Sequence, residues 1–368
     1  MAERVHKKIP FVLSRNDRTS LTDQMVIGFR SAIESGYYQE GEILPPLKTI
    51  AERLGVSMIV SRGALRRLAD EGVLLPHPGR GSEVLGRGTV TWKGRVLFVV
   101  PDRNDSYHVS VVCDILRRRL LSAGYFFNQI TVTKDAHGNY DTTQLQLRLK
   151  DPDLFVVEMF AVPEISREVV ASGVRSVVVA RDASGYPGAR VVRFASDAAV
   201  PEFVARCLRA GVRRVLQIGF EYGFADATSS LHDAGISVDS VYVSAPVREP
   251  GVIEAVKRST HDFFSKFIAR GTPLPDLFYF TDDHAAEAGL LSLALAGIRV
   301  PQDVRVVAWS NRGLAPVYPK PVTRMEIDPI ANGDQLSDYV LGLLGGNQSA
   351  DVPVMAPSYV AGETFTAT

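Results

Sequence analysis

The chain has 368 residues, 46% apolar and 22% charged, with 41 basic and 41 acidic side chains in balance. That length allows two or three domains with real cores, and the composition excludes disordered and fibrous chains. No apolar run approaches the roughly eighteen residues of a membrane span, and Met1 to Pro10 is basic without an apolar signal core, so a cytoplasmic location is expected.

The charge balance is uneven along the chain. Through Arg95 there are 15 Lys and Arg against 10 Asp and Glu, leaving 26 against 31, so a head of +5 precedes a body of −5. This predicts an anionic partner for the head. Cys113 and Cys207 stand alone in helix-like segments, far from any cysteine or histidine at ligand spacing. Buried reduced thiols are expected, with no metal site and no cofactor.

Ser20 to Ser35 reads as a helix: Ser20 and Asp23 stand at capping spacing, and Leu21, Met25, Ile27 or Phe29, and Ile33 form a broad apolar stripe that Gly36 ends. A second helix runs from Pro46 to Leu54, with Leu47, Ile50, Ala51 and Leu54 on one face and Gly55 as its stop. Ser57 caps a third through Glu71, which Gly72 terminates. Val73 to Leu75 and Ser82 to Leu85 read as short strands around Pro76 to Gly81. Three helices and a hairpin make a winged helix-turn-helix over residues 1–85, and the Gly, Thr and Lys of 86–94 mark a linker.

From residue 95 to 368 apolar strands alternate with amphipathic helices. The clearest strands are Val96 to Val100, Tyr125 to Val132, Leu154 to Met159, Ser176 to Ala180, Val215 to Ile218, Leu277 to Phe280 and Val304 to Trp309. Helices fit at Val109 to Ala123, Val200 to Ala210, Val252 to Arg270 and His284 to Ala296. This is the α/β pattern of doubly wound parallel sheets, and its length predicts two lobes.

Leu44-Pro45-Pro46-Leu47-Lys48, Leu54-Gly55-Val56-Ser57, Ala64 to Leu74 and Gly79-Arg80-Gly81 together resemble the GntR-type winged helix-turn-helix in order and spacing. The resemblance implies a recognition helix in the major groove and a wing at the minor groove of double-stranded DNA. By position it assigns DNA contacts to Lys48, Ser57, Arg62, Gly79, Arg80 and Gly81. Met58, Ile59 and Val60 depart from the polar residues usual after that Ser, which predicts sparse base readout and more reliance on phosphate and shape. Arg53, Arg66 and Arg67 read equally as DNA contacts or as solvated helix faces.

Val96 to Pro101 with Ser106-Tyr107-His108, Arg181-Asp182, Ala210 to Val215, Thr281-Asp282-Asp283, Gly297 to Val304, Val306 to Asn311 and Pro321 to Arg324 resemble the LacI-type effector domain. The resemblance implies two periplasmic-binding-protein-like lobes closing on a small molecule, with Tyr107, His108, Arg181, Asp282, Trp309 and Ser310 in the cleft. Tyr107 or Trp309 would stack on a sugar-like face, and Asp282 and Arg181 would bond hydroxyls. Ser310 stands where sugar-binding members commonly have Asp, and Gly223 where Arg is common. The expected function is a homodimeric repressor of a two-fold symmetric operator, released by its effector through a loose linker.

The rival reading is an enzyme with an α/β body. No G-x-S-x-G, P-loop or H-E-x-x-H sequence occurs, and Lys134, Lys150, Lys257, Lys266 and Lys320 stand in no convincing cofactor setting. A constitutive DNA-binding dimer whose body binds no ligand is the third reading.

Overall fold

The computed structural model describes residues 7–15, 19–77, 81–85, 93–101, 106–135, 137–151, 153–219, 227–243 and 252–366. The head comprises α1 (Leu21–Glu34), α2 (Leu47–Leu54), α3 (Met58–Asp70) and the antiparallel hairpin β1 (Leu74–His77) and β2 (Gly81–Val84). Local chemistry sets these boundaries. Ser20 Oγ accepts from Asp23 N at 3.1 Å, Ser57 Oγ accepts from Val60 N at 3.3 Å, and Gly55 closes α2 at φ +64°.

An arm ahead of α1 belongs to the head's core. Phe11 meets Phe29 edge-on at 4.9 Å between centroids and lies flat against Gly28, where an added Cβ would stand 2.6 Å from its ring. Gln24 holds the arm through Ser14, and Tyr37 Oη donates to Lys8 O at 2.7 Å.

The body has two sheets. The first lobe carries β3 (Gly94–Pro101), α4 (Tyr107–Ser122), β4 (Tyr125–Val132), α5 (Thr143–Arg148), β5 (Leu154–Met159), α6 (Pro163–Ala171), β6 (Arg175–Ala180) and β7 (Arg190–Phe194). The second carries α7 (Val200–Arg209), β8 (Arg214–Gly219), α8 (Thr228–Asp233), β9 (Ser237–Tyr242), α9 (Val252–Ala269), β10 (Leu277–Phe280), α10 (Asp283–Leu295), β11 (Arg305–Asn311) and β12 (Thr323–Ile327). The chain then returns through α11 (Pro329–Leu344) and β13 (Val354–Met355) to the first lobe, and ends at β14 (Ser358–Val360) in the second.

The sheet orders are β13-β7-β6-β5-β3-β4, all parallel, and β14-β12-β11-β10-β8-β9, parallel except for β14. Each sheet starts with a strand that ends up between its second and third strands, so the chain reverses direction across the sheet at β3/β5 and at β8/β10. β3 begins at Gly94, one residue inside the predicted linker, and Lys93 N donates to Gly124 O at 2.8 Å.

α11 packs on α4 in the first lobe, with Arg119 paired to Asp334 and Asp338, and Gly333 faces Ile115 where a Cβ would stand 2.9 Å away. The head is seated on the same lobe. Phe126, on the edge strand β4, is fully buried within the apolar cluster that contains Phe11, Phe29 and Leu68. The head is therefore packed on the body, while residues 86–92 of the expected linker lie outside the described residues. The cysteines lie in α4 and α7, buried as expected, and burial pushes both thiols up to about 12.

Glu158, next to last in β5, lies buried against α6, accepting from Ser166 Oγ at 2.6 Å while its Oε1 has no partner. Burial raises its carboxyl to about 7. A carboxyl raised on folding contributes fully below its unfolded value of 4.5 and loses that contribution as pH rises to about 7. Glu158→Gln is expected to gain up to about 3 kcal/mol over the parent at pH 8 and little at pH 4.5. Melting temperatures of both proteins across that range check this, and equal offsets at both ends would contradict it.

Candidate DNA interface and effector crevice

On the head, Ser57, Met58, Ile59, Arg62 and Arg66 share the solvent face of α3, and Ile59 is 80% exposed. Arg62 makes no ion pair among the described residues, so its guanidinium is available to a phosphate. Lys48 reaches solvent at the start of α2, 3.9 Å from Glu52.

Three other arginines divide. Arg67 pairs with Asp23 and Glu71, and Glu71 also holds Arg30, so this network ties α3 to α1. Arg53 donates to Lys7 O at 2.9 Å and fastens the arm. Arg66 stays on the open face, 4.0 Å from Asp70. Gly81 is held at φ +106°, and a side chain there would meet Ile43 at 3.0 Å, so its absence of Cβ serves the hairpin's packing. Gly79 and Arg80 lie outside the described residues.

In parallel α/β sheets the crevice for a ligand opens at the strands' carboxyl ends, where the strand order reverses. In the first lobe that point lies between β3 and β5. Tyr107 and His108 open α4 there, capped by Ser106 Oγ accepting from Val109 N at 3.3 Å. Tyr107 is 39% exposed, and a side chain at Gly313, just past β11 in the other lobe, would stand 3.4 Å from its hydroxyl. The Tyr107 ring therefore spans the two lobes.

His108 is buried beneath it. Its ring stacks on Phe160 at 5.8 Å and meets Phe194 edge-on at 5.4 Å. Asn332 Nδ2 donates to His108 Nε2 at 3.0 Å, which leaves the ring proton on Nδ1, an atom with no partner. Burial pushes His108 down to about 4, so the ring is neutral at neutral pH. Phe160, directly after β5, takes φ +51°, a left-handed backbone that a bulky residue holds only when its surroundings fix it.

In the second lobe the reversal lies between β8 and β10. Asp282 follows β10 and caps α10, accepting from Ala285 N at 2.9 Å. Burial and the adjacent Asp283 carboxylate raise its carboxyl to about 6. Asp282, expected in the cleft, is thus also the helix cap. Asp283 turns inward, accepting from Asn311 N at 3.3 Å and Asn311 Nδ2 at 3.2 Å. Beside Asp282 stands Thr281, whose buried Oγ1 has no partner among the described residues and fills the space where a Cβ on Gly219 would be.

Arg181, Trp309 and Ser310 stand one strand further from the reversal points. Arg181 is exposed at the carboxyl end of β6, beside Asp182, which hydrogen bonds from Ser184 hold below the usual carboxylate range. Trp309 is 9% exposed with its ring in the core, and Ser310 is fully buried, donating to Asn311 O at 3.0 Å. Trp309 is nearly enclosed, whereas Tyr107 is exposed. The structure thus brings Tyr107, His108 and Asp282 to the reversal points and sets Arg181, Trp309 and Ser310 at their margin. Phe160 and Asn332 were not visible in the sequence, because burial and long-range pairing give them their place, and Thr281 and Asp283 were seen there only as neighbours of Asp282.

No group of His, Cys, Asp and Glu that could hold a metal occurs among the described residues, and no described helix is long and apolar enough to cross a membrane.

Residues 23–84 match the family described as bacterial regulatory proteins, gntR family, and residues 204–365 match the periplasmic binding protein-like domain. No curated protein matches the sequence. Among solved structures the chain is similar to a LacI family transcriptional regulator from Bifidobacterium animalis subsp. lactis, at 14% identity and TM-score 0.60, covering 74% of this chain and 98% of that one. It is similar to the lac repressor dimer bound to operator and the anti-inducer ONPF, at 14% identity and TM-score 0.54, covering 73% and 93%. It is also similar to the transcriptional regulator CelR in complex with cellobiose, at 16% identity and TM-score 0.55, covering 87% and 99%. These likenesses agree in fold. The chain is a transcription regulator that joins a gntR-family DNA-binding head to a periplasmic-binding-protein-like body with the fold of LacI-family regulators.

Proposed function

We propose that this regulator is a cytoplasmic homodimeric repressor whose operator affinity is set by a small polyhydroxylated ligand, a sugar or sugar derivative, held between its lobes. The division behind this reading is a head of residues 1–85, a linker of 86–94 and a sensing body of 95–368. The carrying observation is a pair of buried polar atoms without a partner among the described residues, His108 Nδ1 and Thr281 Oγ1, one at each point of strand reversal. Orphaned buried donors and acceptors are costly, and a ligand with several hydroxyls would satisfy them from both lobes at once. Tyr107 is the face on which its ring would stack, with Asp282 and Arg181 at the rim. The cellobiose bound by CelR and the operator bound by the lac repressor dimer are those proteins' partners, and they support the class of ligand and of DNA site proposed.

Binding that draws the lobes together favours one arrangement of the dimer, and a coupling of about 1–3 kcal/mol would change operator affinity roughly 5–150-fold. A thermal-shift screen against sugars and sugar acids is expected to give a saturable rise with at least one of them. Thr281→Ala should weaken that ligand about 5–10-fold, and unchanged affinity in this variant and in Asp282→Ala would remove the crevice from the account.

On the head, Arg62→Ala should weaken operator binding and reduce the slope of log affinity against log salt by about one unit. Arg67→Ala should instead lower the head's melting temperature, because its charge is spent on Asp23 and Glu71. Equal effects of the two variants on salt slope would contradict this division.

A further inference from the structure

At the amino-terminal end of the first lobe's sheet, opposite the crevice, the head's arm roofs a cavity of about 180 Å³. Phe11 and Phe126 supply apolar wall, while Asn128, Arg95, Arg148 and Asp151 supply its polar side. The charges there do not balance. Asp151 is engaged by Arg95, whose buried Nε has no partner. Arg148, last in α5, likewise has a buried, unpartnered Nε and makes no ion pair among the described residues.

We infer that this cavity binds a small monocarboxylic acid, its carboxylate seated on the Arg148 guanidinium and the free edge of Arg95, its apolar tail between Phe11 and Phe126. Two guanidinium groups and one carboxylate leave a single positive charge, which one carboxylate neutralises. The planar guanidinium fork matches a planar carboxylate. Burial and the like charge of Arg95 push Arg148 down to about 10, which Asp151 only partly offsets, so two cations share one carboxylate while both stay charged at neutral pH. The cavity is smaller than the roughly 300–1,000 Å³ of clefts for drug-sized ligands, which limits the occupant to a short acid. Such a ligand touches the arm and the lobe together, so it fastens the head to the body from a site separate from the crevice, and the inference stands or falls independently of the effector's identity.

The test uses the full chain at fixed ionic strength, with sodium butyrate as probe. Butyrate is expected to raise the melting temperature saturably, acetate to do so at least threefold more weakly, and butylamine not at all. Arg148→Met should abolish the response. Asp151→Asn, which frees Arg95, should strengthen butyrate binding threefold or more, so a folding defect in the first variant leaves the second as a check of opposite sign. A butyrate response no larger than that of matched chloride, a response that survives Arg148→Met, or tighter binding of inorganic phosphate than of butyrate would overturn the assignment.

Discussion

The burial of Phe126 is the contact on which the arrangement of this molecule depends. It belongs by sequence to β4, the edge strand of the first lobe, yet it is fully enclosed by the head's apolar cluster. An edge strand with an apolar outer face invites pairing with other chains and needs cover, and a head this small gains from added buried surface. The arm completes the joint because Gly28 lets the Phe11 ring lie on α1. One apolar cluster thus protects the sheet edge and makes the head move with the first lobe.

The body is organised around chain crossings between its lobes. The segments after β7, after β12 and between β13 and β14 change lobe, so a short bundle of connections separates two well-packed sheets. Such a layout permits closure by rotation with little change inside either lobe. α11 is the fixed member: although it follows a strand of the second lobe, it is locked onto α4 of the first through Asp334, Asp338 and Gly333. The same helix sends Asn332 to His108, so the floor of the crevice and the inter-lobe connection share one element. A ligand engaging His108 and Thr281 would act where the lobes are joined.

The sequence was most legible where local pattern and burial agree. Tyr125 to Val132, Leu154 to Met159 and Leu277 to Phe280 are apolar runs bounded by turn signals, and they are the strands observed. β9, Ser237 to Tyr242, is polar and largely exposed, and β13 has two residues that pair with β7 far earlier in the chain, so neither carries a local signal. Tyr107 and Asp282 were singled out through the resemblance to the LacI-type effector domain, and the structure places both just past strand ends. The orphaned Thr281 hydroxyl, the left-handed Phe160 and the partnerless Arg148 were not legible, since each is defined by what surrounds it in three dimensions. Arg67 shows the difference in the head: in the sequence it reads equally as a DNA contact or a solvated face, and only the structure sets Asp23 beside it.

Head and first lobe form one packed unit, and under the proposed function a ligand in the crevice would act on the DNA through it. That packing is tested most directly by the distance between spin labels at Glu34→Cys on α1 and Glu164→Cys on α6, both exposed positions. Cys113 and Cys207, buried with raised thiol pKa values, should remain unlabelled. The account predicts one narrow distance distribution, which Phe126→Ala broadens. A broad distribution in the parent protein, of the kind a head swinging on a flexible tether gives, would contradict it.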